Sequence, residues 1–421
     1  MKWLFLLHFY FDMKTFYFYL FLLLSIPLLP NSFSIDVIGV HWFAFSIINF
    51  VFLSYLIFFK QNFSFPFKFS AFKFHISFLF FCIVSLFFSK NLDLSIVDIS
   101  RIVNTFLSSI ILYNLCNSKL NFHKLSLLIS FFLLFDIFFS FKPYIFNGLS
   151  SNINFFTFFT ENFDPGFLKG LVGNKNIAAT YVLVKIPFLL YSISVSKSRF
   201  LSGSLNFLLF LSLTTLFLFK SRGAYVSLFF ISFLFIIHSL YYYRKGLYFP
   251  IILVSSFLIS LLVTNSSKSS SVLDEVATIS LTNESSSSRF LLWQNTLESS
   301  LSNYFIGNGI GTWKIESLPY WNTNGTAYIV PYHAHNDFLE LLTEIGLLGS
   351  LSYLFIFLFS FFIIIKHYRI NKSLIDFTIG AVLLVYFFDA NLNFPLERTV
   401  LQIVFAIVLF LTYKRYDKET I

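Results

Sequence analysis

The sequence predicts an all-α integral membrane protein, a polytopic bundle of about twelve transmembrane helices with one large exterior loop containing short helices. Three observations predict it. Hydrophobic residues make up 57% of the chain and charged residues only 12%, a balance that leaves too little charge to cover a soluble globule. Apolar runs near the ~20 residues needed to cross a bilayer recur from end to end. The runs are continuous rather than alternating, so each satisfies its backbone groups within a helix and a barrel is excluded. The 65 Phe add apolar surface everywhere and single out no site.

Taken in order, the predicted spans cover residues 16–30, 35–59, 72–89, 96–116, 125–141, 174–195, 205–219, 223–241, 247–263, 338–365, 375–388 and 399–413. The whole of 1–421 reads as a single polytopic membrane domain. With the N-terminus placed in the cytoplasm, every cytoplasmic segment carries at least two basic residues, from Lys2 and Lys14 through Lys60, Lys68 and Lys73 to Lys414, Arg415 and Lys418. This satisfies the positive-inside rule, and an even count puts both termini inside. The net charge of +9 therefore reports orientation first, and no nucleic-acid partner is called for. The first apolar stretch has no clear small-residue cleavage site and reads as a retained helix. Cys82 and Cys116 lie in or at the ends of apolar spans, where no structural disulfide or metal-ligand spacing is expected.

Orientation leaves the exterior cations unexplained: Lys90, Lys142, Lys169, Lys175, Lys220, Arg222, Lys268, Arg289, Lys314 and Arg398. An anionic ligand on the outer face is one demand that would keep them there. Two exterior connections are long. One covers 142–173. The other, 264–337 with the segment that closes it, far exceeds the ~4–6 residues typical of connections. It opens on Ser-rich stretches. After Ser288 it changes to an apolar repeat at helical spacing, Phe290, Leu291, Trp293, Leu297 and Leu301, and then breaks at Gly307, Gly309 and Gly311. This pattern predicts a short helix on the membrane surface followed by a Gly-rich turn.

The chain is organised around residues 331–349, PYHAHNDFLELLTEIGLLG, where this loop meets an apolar span. His333 and His335 precede the span. Asn336 and Asp337 are suited to cap a helix N-terminus. Asn336, Glu340 and Glu344 are spaced four apart and share one face. Histidine is the side chain best suited to take a proton near neutral pH, so His335 is the first candidate base, with His333 as the alternative. The ordinary reading is an interfacial histidine without a task. The carboxylates that follow weigh against it, because charges entering a span are costly and are kept for function. Two histidines two residues apart on a loop are not a zinc spacing, and no metal is assigned.

Three further constellations lie on the exterior side. Lys220, Ser221, Arg222 and Gly223 place two cations in a short connection, suited to a diphosphate or to snorkelling into headgroups. Gly173, Asn174, Lys175 and Asn176 open the sixth span and could bind an anion at a helix N-terminus or simply cap it. Arg289, with Trp293 behind it, could meet a phosphate or an anionic lipid headgroup. Within the spans, Lys185 needs a partner, and Asp98 or Asp136 could supply it or pair with Arg101.

Four segments in this order, GNKNIAATYVLVKIPF, KSRGAYVSL, RFLLWQNTLESS with GNGIGTW, and HAHNDFLELLTEIGLLG, resemble the O-antigen ligase and O-antigen polymerase superfamily of bacterial membrane glycosyltransferases. The resemblance covers about 173–349 by motif and the first half by hydropathy. It implies an enzyme of the bacterial inner membrane that works on the periplasmic face without cofactor or metal. It would pass a glycan from an undecaprenyl-diphosphate carrier to an acceptor hydroxyl. The family's essential histidine falls on His335, and its basic diphosphate ligands fall on Arg222 and Arg289, with Lys220 and Lys175 beside them. Asn336, Glu340, Glu344, His333 and Asn174 are the supporting residues.

The most specific expectation is an O-antigen ligase acting on lipid A core. A polymerase or a protein O-oligosaccharyltransferase would use the same motifs. From another class, a polysaccharide transporter or flippase would suit twelve spans, although no half-to-half repeat is visible and the polar residues gather at one face rather than at mid-membrane.

Overall fold

The computed structural model describes residues 2–30, 37–60, 63–116, 120–150, 163–242, 248–267, 271–277, 284–320 and 331–416. Among them every regular element is helical. The main helices are α1 Lys2–Ser25, α2 Val37–Phe59, α3 Ser70–Ser85, α4 Leu92–Leu115, α5 Phe122–Ser150, α6 Lys175–Leu183, α7 Ile186–Val195, α8 Arg199–Leu218, α9 Arg222–Tyr242 and α10 Tyr248–Asn265. In the long loop come α11 Val272–Ala277, α12 Glu284–Ser300 and α13 Trp313–Glu316. The chain then returns through α14 Asp337–Asn371, α15 Leu374–Leu392 and α16 Thr399–Tyr416.

The described helices include ten long and apolar enough to cross a membrane, with a shorter apolar helix at Lys14–Leu28. All twelve predicted spans fall on helices, so the all-α polytopic class holds, while the count by length and hydropathy is ten. The predicted 174–195 span is two helices. It breaks at Val184 and Lys185, and Pro187, which cannot donate an N–H, sits in the first turn of α7. This broken span is the centre of the bundle. Its most apolar window is 89% buried, against 28% for α2 and for α10, which face outward. α16 is also buried along nearly its whole length.

The partners left open for the intramembrane charges are now set. Lys185 pairs with Asp136 of α5, both fully enclosed, and the ammonium sits 3.5 Å from the Tyr181 ring centroid. Arg101 pairs with Asp98 at 2.8 Å and with Glu397. Cys82 and Cys116 are buried thiols.

α14 is broken at Gly346, where φ is 70°. A break inside a span frees backbone groups that lipid cannot satisfy. The loop segment 304–309 supplies the missing partners. Asn308 N–H donates to Thr343 O at 3.0 Å, Gly309 N–H to Glu344 O at 2.8 Å, and Leu347 N–H to Tyr304 O at 2.8 Å. The two backbones lie so close that a Cβ on Gly307 would fall 2.3 Å from the Glu344 carbonyl, and one on Gly346 2.3 Å from that of Phe305. The predicted Gly-rich turn is thus a plug seated in the kink of α14. It reaches the C-terminal end of α3, where Ile310 N–H donates to Ser85 Oγ at 3.1 Å.

Candidate functional site

The loop before α14 is built from its own side chains. Asn336 caps the helix, its Oδ1 accepting from Phe338 N–H at 3.0 Å and Leu339 N–H at 3.2 Å. Glu340 reaches back over the cap. Its Oε2 accepts the Ala334 N–H at 2.7 Å and its Oε1 lies 3.2 Å from His333 Nδ1. Trp293 of α12 donates its indole N–H to Ala334 O at 3.1 Å. His335 adopts a left-handed backbone, φ 52°, a conformation that costs a non-glycine residue about 1–2 kcal/mol. Such outliers persist where surrounding contacts over-determine them.

The turn after α15 completes this arrangement. Phe394 stacks on His333, with ring centroids 4.1 Å apart and planes 13° from parallel, and presents itself edge-on to His335 at 5.0 Å and 74°. The Arg398 guanidinium lies 4.6 Å from the same ring. Leu396 N–H donates to Asp337 Oδ2 at 3.2 Å, tying this turn to the start of α14.

His335 is held neutral. Its pKa falls from 6.5 to about 4, first because it is taken out of water and then because Arg289, His333 and Arg398 stand near. Its Nδ1 is buried without a hydrogen-bond partner among the described residues. Arg289 is itself shifted down by burial and by its neighbour Arg222, with Asp389 opposing. Asp389, at the end of α15, accepts from Thr180 Oγ1 at 2.8 Å and from Asn393 Nδ2 at 2.6 Å. α6, α9 and the end of α15 therefore meet here, with Leu392 and Asn393 beside Gly223.

A second group of cations adjoins this one. Arg222 Nε lies 3.4 Å from Glu275 of α11. Lys220 is buried, and its backbone is left-handed at φ 50°. Burial lowers its pKa first, Glu275 opposes this, and Lys175 adds like charge. Of the three non-glycine residues with positive φ among those described, two, Lys220 and His335, are in this region.

The structure thus brings His335, His333, Asn336, Glu340, Arg289, Arg222, Lys220 and Lys175 to one end of the bundle. It places two expected supporting residues elsewhere in role. Asn174 spends its Oδ1 on the N–H groups of Asn176 and Ile177, so it caps α6. Glu344 accepts the Trp313 N–H at 2.9 Å and so holds the glycine plug. With Asp98, Arg101, Asp337, Glu340 and Glu397 it lines a cavity of about 10 Å³, room for about one water.

Sequence reasoning missed Phe394 and Asp389 and left Arg398 without a partner. The signals were an acid closing an apolar span and an exterior arginine that orientation does not require. Phe394 carried none, being one Phe among many.

No curated protein matches the chain in sequence. Residues 207–354, which hold the Lys220–Arg222 connection, all of α12 and the histidine loop, match the family model described as O-antigen ligase. That stretch of the membrane protein is therefore similar to O-antigen ligases, in line with the resemblance its motifs carry.

Proposed function

We propose that the chain transfers a glycan from undecaprenyl diphosphate to an acceptor hydroxyl on the periplasmic face of the inner membrane, as an O-antigen ligase acting on lipid A core. The observation that carries this reading is a neutral His335 among fixed guanidinium groups. A neutral imidazole can accept a proton, whereas a protonated one cannot. Arg222 repels Arg289, and Lys175 repels Lys220; a bound diphosphate would relieve that repulsion.

In the proposed step the acceptor oxygen attacks the anomeric carbon while the bond from that carbon to the diphosphate oxygen breaks. The hydroxyl proton goes to His335. Because its Nδ1 is buried, Nε2 is the nitrogen offered to the acceptor. The electron pair leaves with the lipid diphosphate, whose added negative charge Arg289 and Arg222 stabilise. Such preorganised donors are typically worth about 10²–10³ in rate. Glu340 and Phe394 hold the two imidazoles, and the large loop 264–337 closes the site as part of one membrane domain.

The test is glycan transfer in a cell lacking its own ligase, comparing wild type with His335→Ala. Decoration of lipid A core by wild type, with carrier-linked polymer accumulating in the mutant, is the expected result. Single repeats accumulating in the mutant make the protein a polymerase. If neither readout moves, the reading fails in favour of protein glycosylation or transport.

A further inference from the structure

α9 and α15 lie side by side from one end of the bundle to the other. Beside the cations, a Cβ on Gly223 would fall 3.6 Å from Leu392 Cδ1. Further along, Phe230 stacks on Phe388, with ring centroids 5.1 Å apart and planes 20° from parallel. At the far end His238 stacks on Phe377 at 4.9 Å and 20°. On α9 these positions, with Ser227 and Leu234, recur at spacings of three and four and so share one face. On α15 Phe377, Gly380, Leu384, Phe388 and Leu392 do the same. One seam therefore joins the Lys220–Arg222 connection to the opposite end of the bundle.

Past Phe230 the seam opens into a cavity of about 600 Å³. α9 contributes Leu234 and Ile237 to its wall, α15 Phe377 and Leu384, and α14 Ile364 and Ile365. Its polar groups are engaged within the protein. His238 Nδ1 lies 2.6 Å from Tyr368 Oη, and the Asp376 carboxylate is held by His367 Nδ1 at 2.7 Å and Arg415 Nε at 3.0 Å. What remains for an occupant is hydrocarbon surface. Leu234, Ile237 and Ile365 are exposed, so the cavity is open on the outer side of the bundle. Depth decides which hydrocarbon can enter. Arg222 is the first residue of its span. At ~1.5 Å of rise per residue, Leu234 and His238 lie about 18 Å and about 24 Å further along. The hydrocarbon core is about 30 Å thick, so the midplane comes after about 15 Å. The cavity is thus in the far leaflet, beyond the reach of ordinary acyl chains whose phosphate lies at Arg222.

We infer that this cavity receives the distal isoprene units of a polyprenyl diphosphate held at Arg222, and so makes binding depend on the length of the carrier chain. The inference rests on the donor class proposed above, and not on the acceptor or the chemical step. A single chain longer than one leaflet spans the distance along the α9–α15 seam. A short-chain diphosphate keeps its contacts with the cations and loses the burial of its far end. Leu234, Ile237 and Leu384 are then specificity-determining residues for the carrier, remote from the reacting atoms.

The experiment is photolabelling of the full chain in nanodiscs, with undecaprenyl diphosphate carrying a diazirine on its last isoprene unit. Adducts should map to the α9 and α14 residues that line the cavity. Unlabelled undecaprenyl diphosphate should displace them, and excess phosphatidylglycerol should not. Leu384→Trp fills the cavity, and Ile237→Trp fills its exposed rim. Each should weaken binding of undecaprenyl diphosphate about tenfold and leave that of geranylgeranyl diphosphate unchanged. Adducts confined to other parts of the bundle would overturn the inference. Displacement by phosphatidylglycerol would overturn it too, because the occupant would then be a phospholipid of the far leaflet. So would equal losses for the two diphosphates, because the variants would then act on the fold. Failure of the proposed reaction looks different: the cavity is labelled while no glycan is transferred. Two variants on different helices keep the test decisive if one fails to fold.

Discussion

Trp293 donates its indole N–H to the backbone carbonyl of Ala334 at 3.1 Å. Ala334 sits between the two histidines, and Trp293 lies one turn after Arg289. One hydrogen bond therefore fixes the helix bearing a guanidinium against the loop bearing the candidate base.

Trp293→Phe keeps most of the ring and removes the donor. A net hydrogen bond is worth about 0.5–1.5 kcal/mol, so glycan transfer should fall about threefold to tenfold while thermal unfolding in detergent moves little. An unchanged rate would show that the loop holds its geometry without α12.

Removing the base should be more severe. His335→Ala is expected to abolish transfer while leaving an inserted, folded protein, judged by yield and melting temperature. In the wild type the imidazole stays neutral from neutral pH down to about 4, so kcat/KM should hold over that range and fail below it. The unfolded chain takes up this proton near 6.5 and the folded chain only near 4. Stability from this group is thus complete above 6.5 and is lost as pH falls through that window. Arg289→Gln removes one of the cations that depress the histidine, so the acid limb should move upward.

The two arginines should act on the donor. Hydrogen bonds to charged groups contribute about 1.5–3 kcal/mol, so Arg222→Ala and Arg289→Ala should each cost about tenfold to hundredfold in kcat/KM for the diphosphate-linked glycan. Steady-state kinetics with a purified donor checks this. Full activity in both variants would remove them from the site.

The kink in α14 tolerates no side chain. Gly346→Ala must hold a left-handed backbone and put a Cβ 2.3 Å from the Phe305 carbonyl. Strain of this kind costs about 1–3 kcal/mol before the clash is counted, so melting temperature and activity should fall together. Normal melting would mean that the plug can move away from the kink.

The buried pair Lys185–Asp136 gives a cycle with a definite sign. Losing one partner strands a charge in the bundle centre and should cost about 3–5 kcal/mol, whereas removing both is far milder. Lys185→Met and Asp136→Leu singly should each lower the melting temperature sharply, and the double variant should recover most of the loss. Additive losses would show that the two side chains do not act as a pair.

The sequence by itself determined the membrane class, the approximate position of every span, and the places where function concentrates. Hydropathy over about twenty residues is a local property that the bilayer reads directly. Caps are also local, which is why Asn336 could be assigned as one before any contact was known. The α12 repeat and the glycine break after it were legible for the same reason. Tertiary structure decided the partners. Asp98 and Asp136 were equal candidates for Lys185 until packing put Asp136 against it and Asp98 against Arg101. Glu340 and Glu344 share a face by spacing, yet one turn of rise sends the first to His333 and the second to the glycine plug. Phe394, Arg398 and Asp389 join His335 across more than fifty residues of chain. No local rule reaches that far, because what unites them is the way α6, α9, α14 and α15 converge at one end of the bundle.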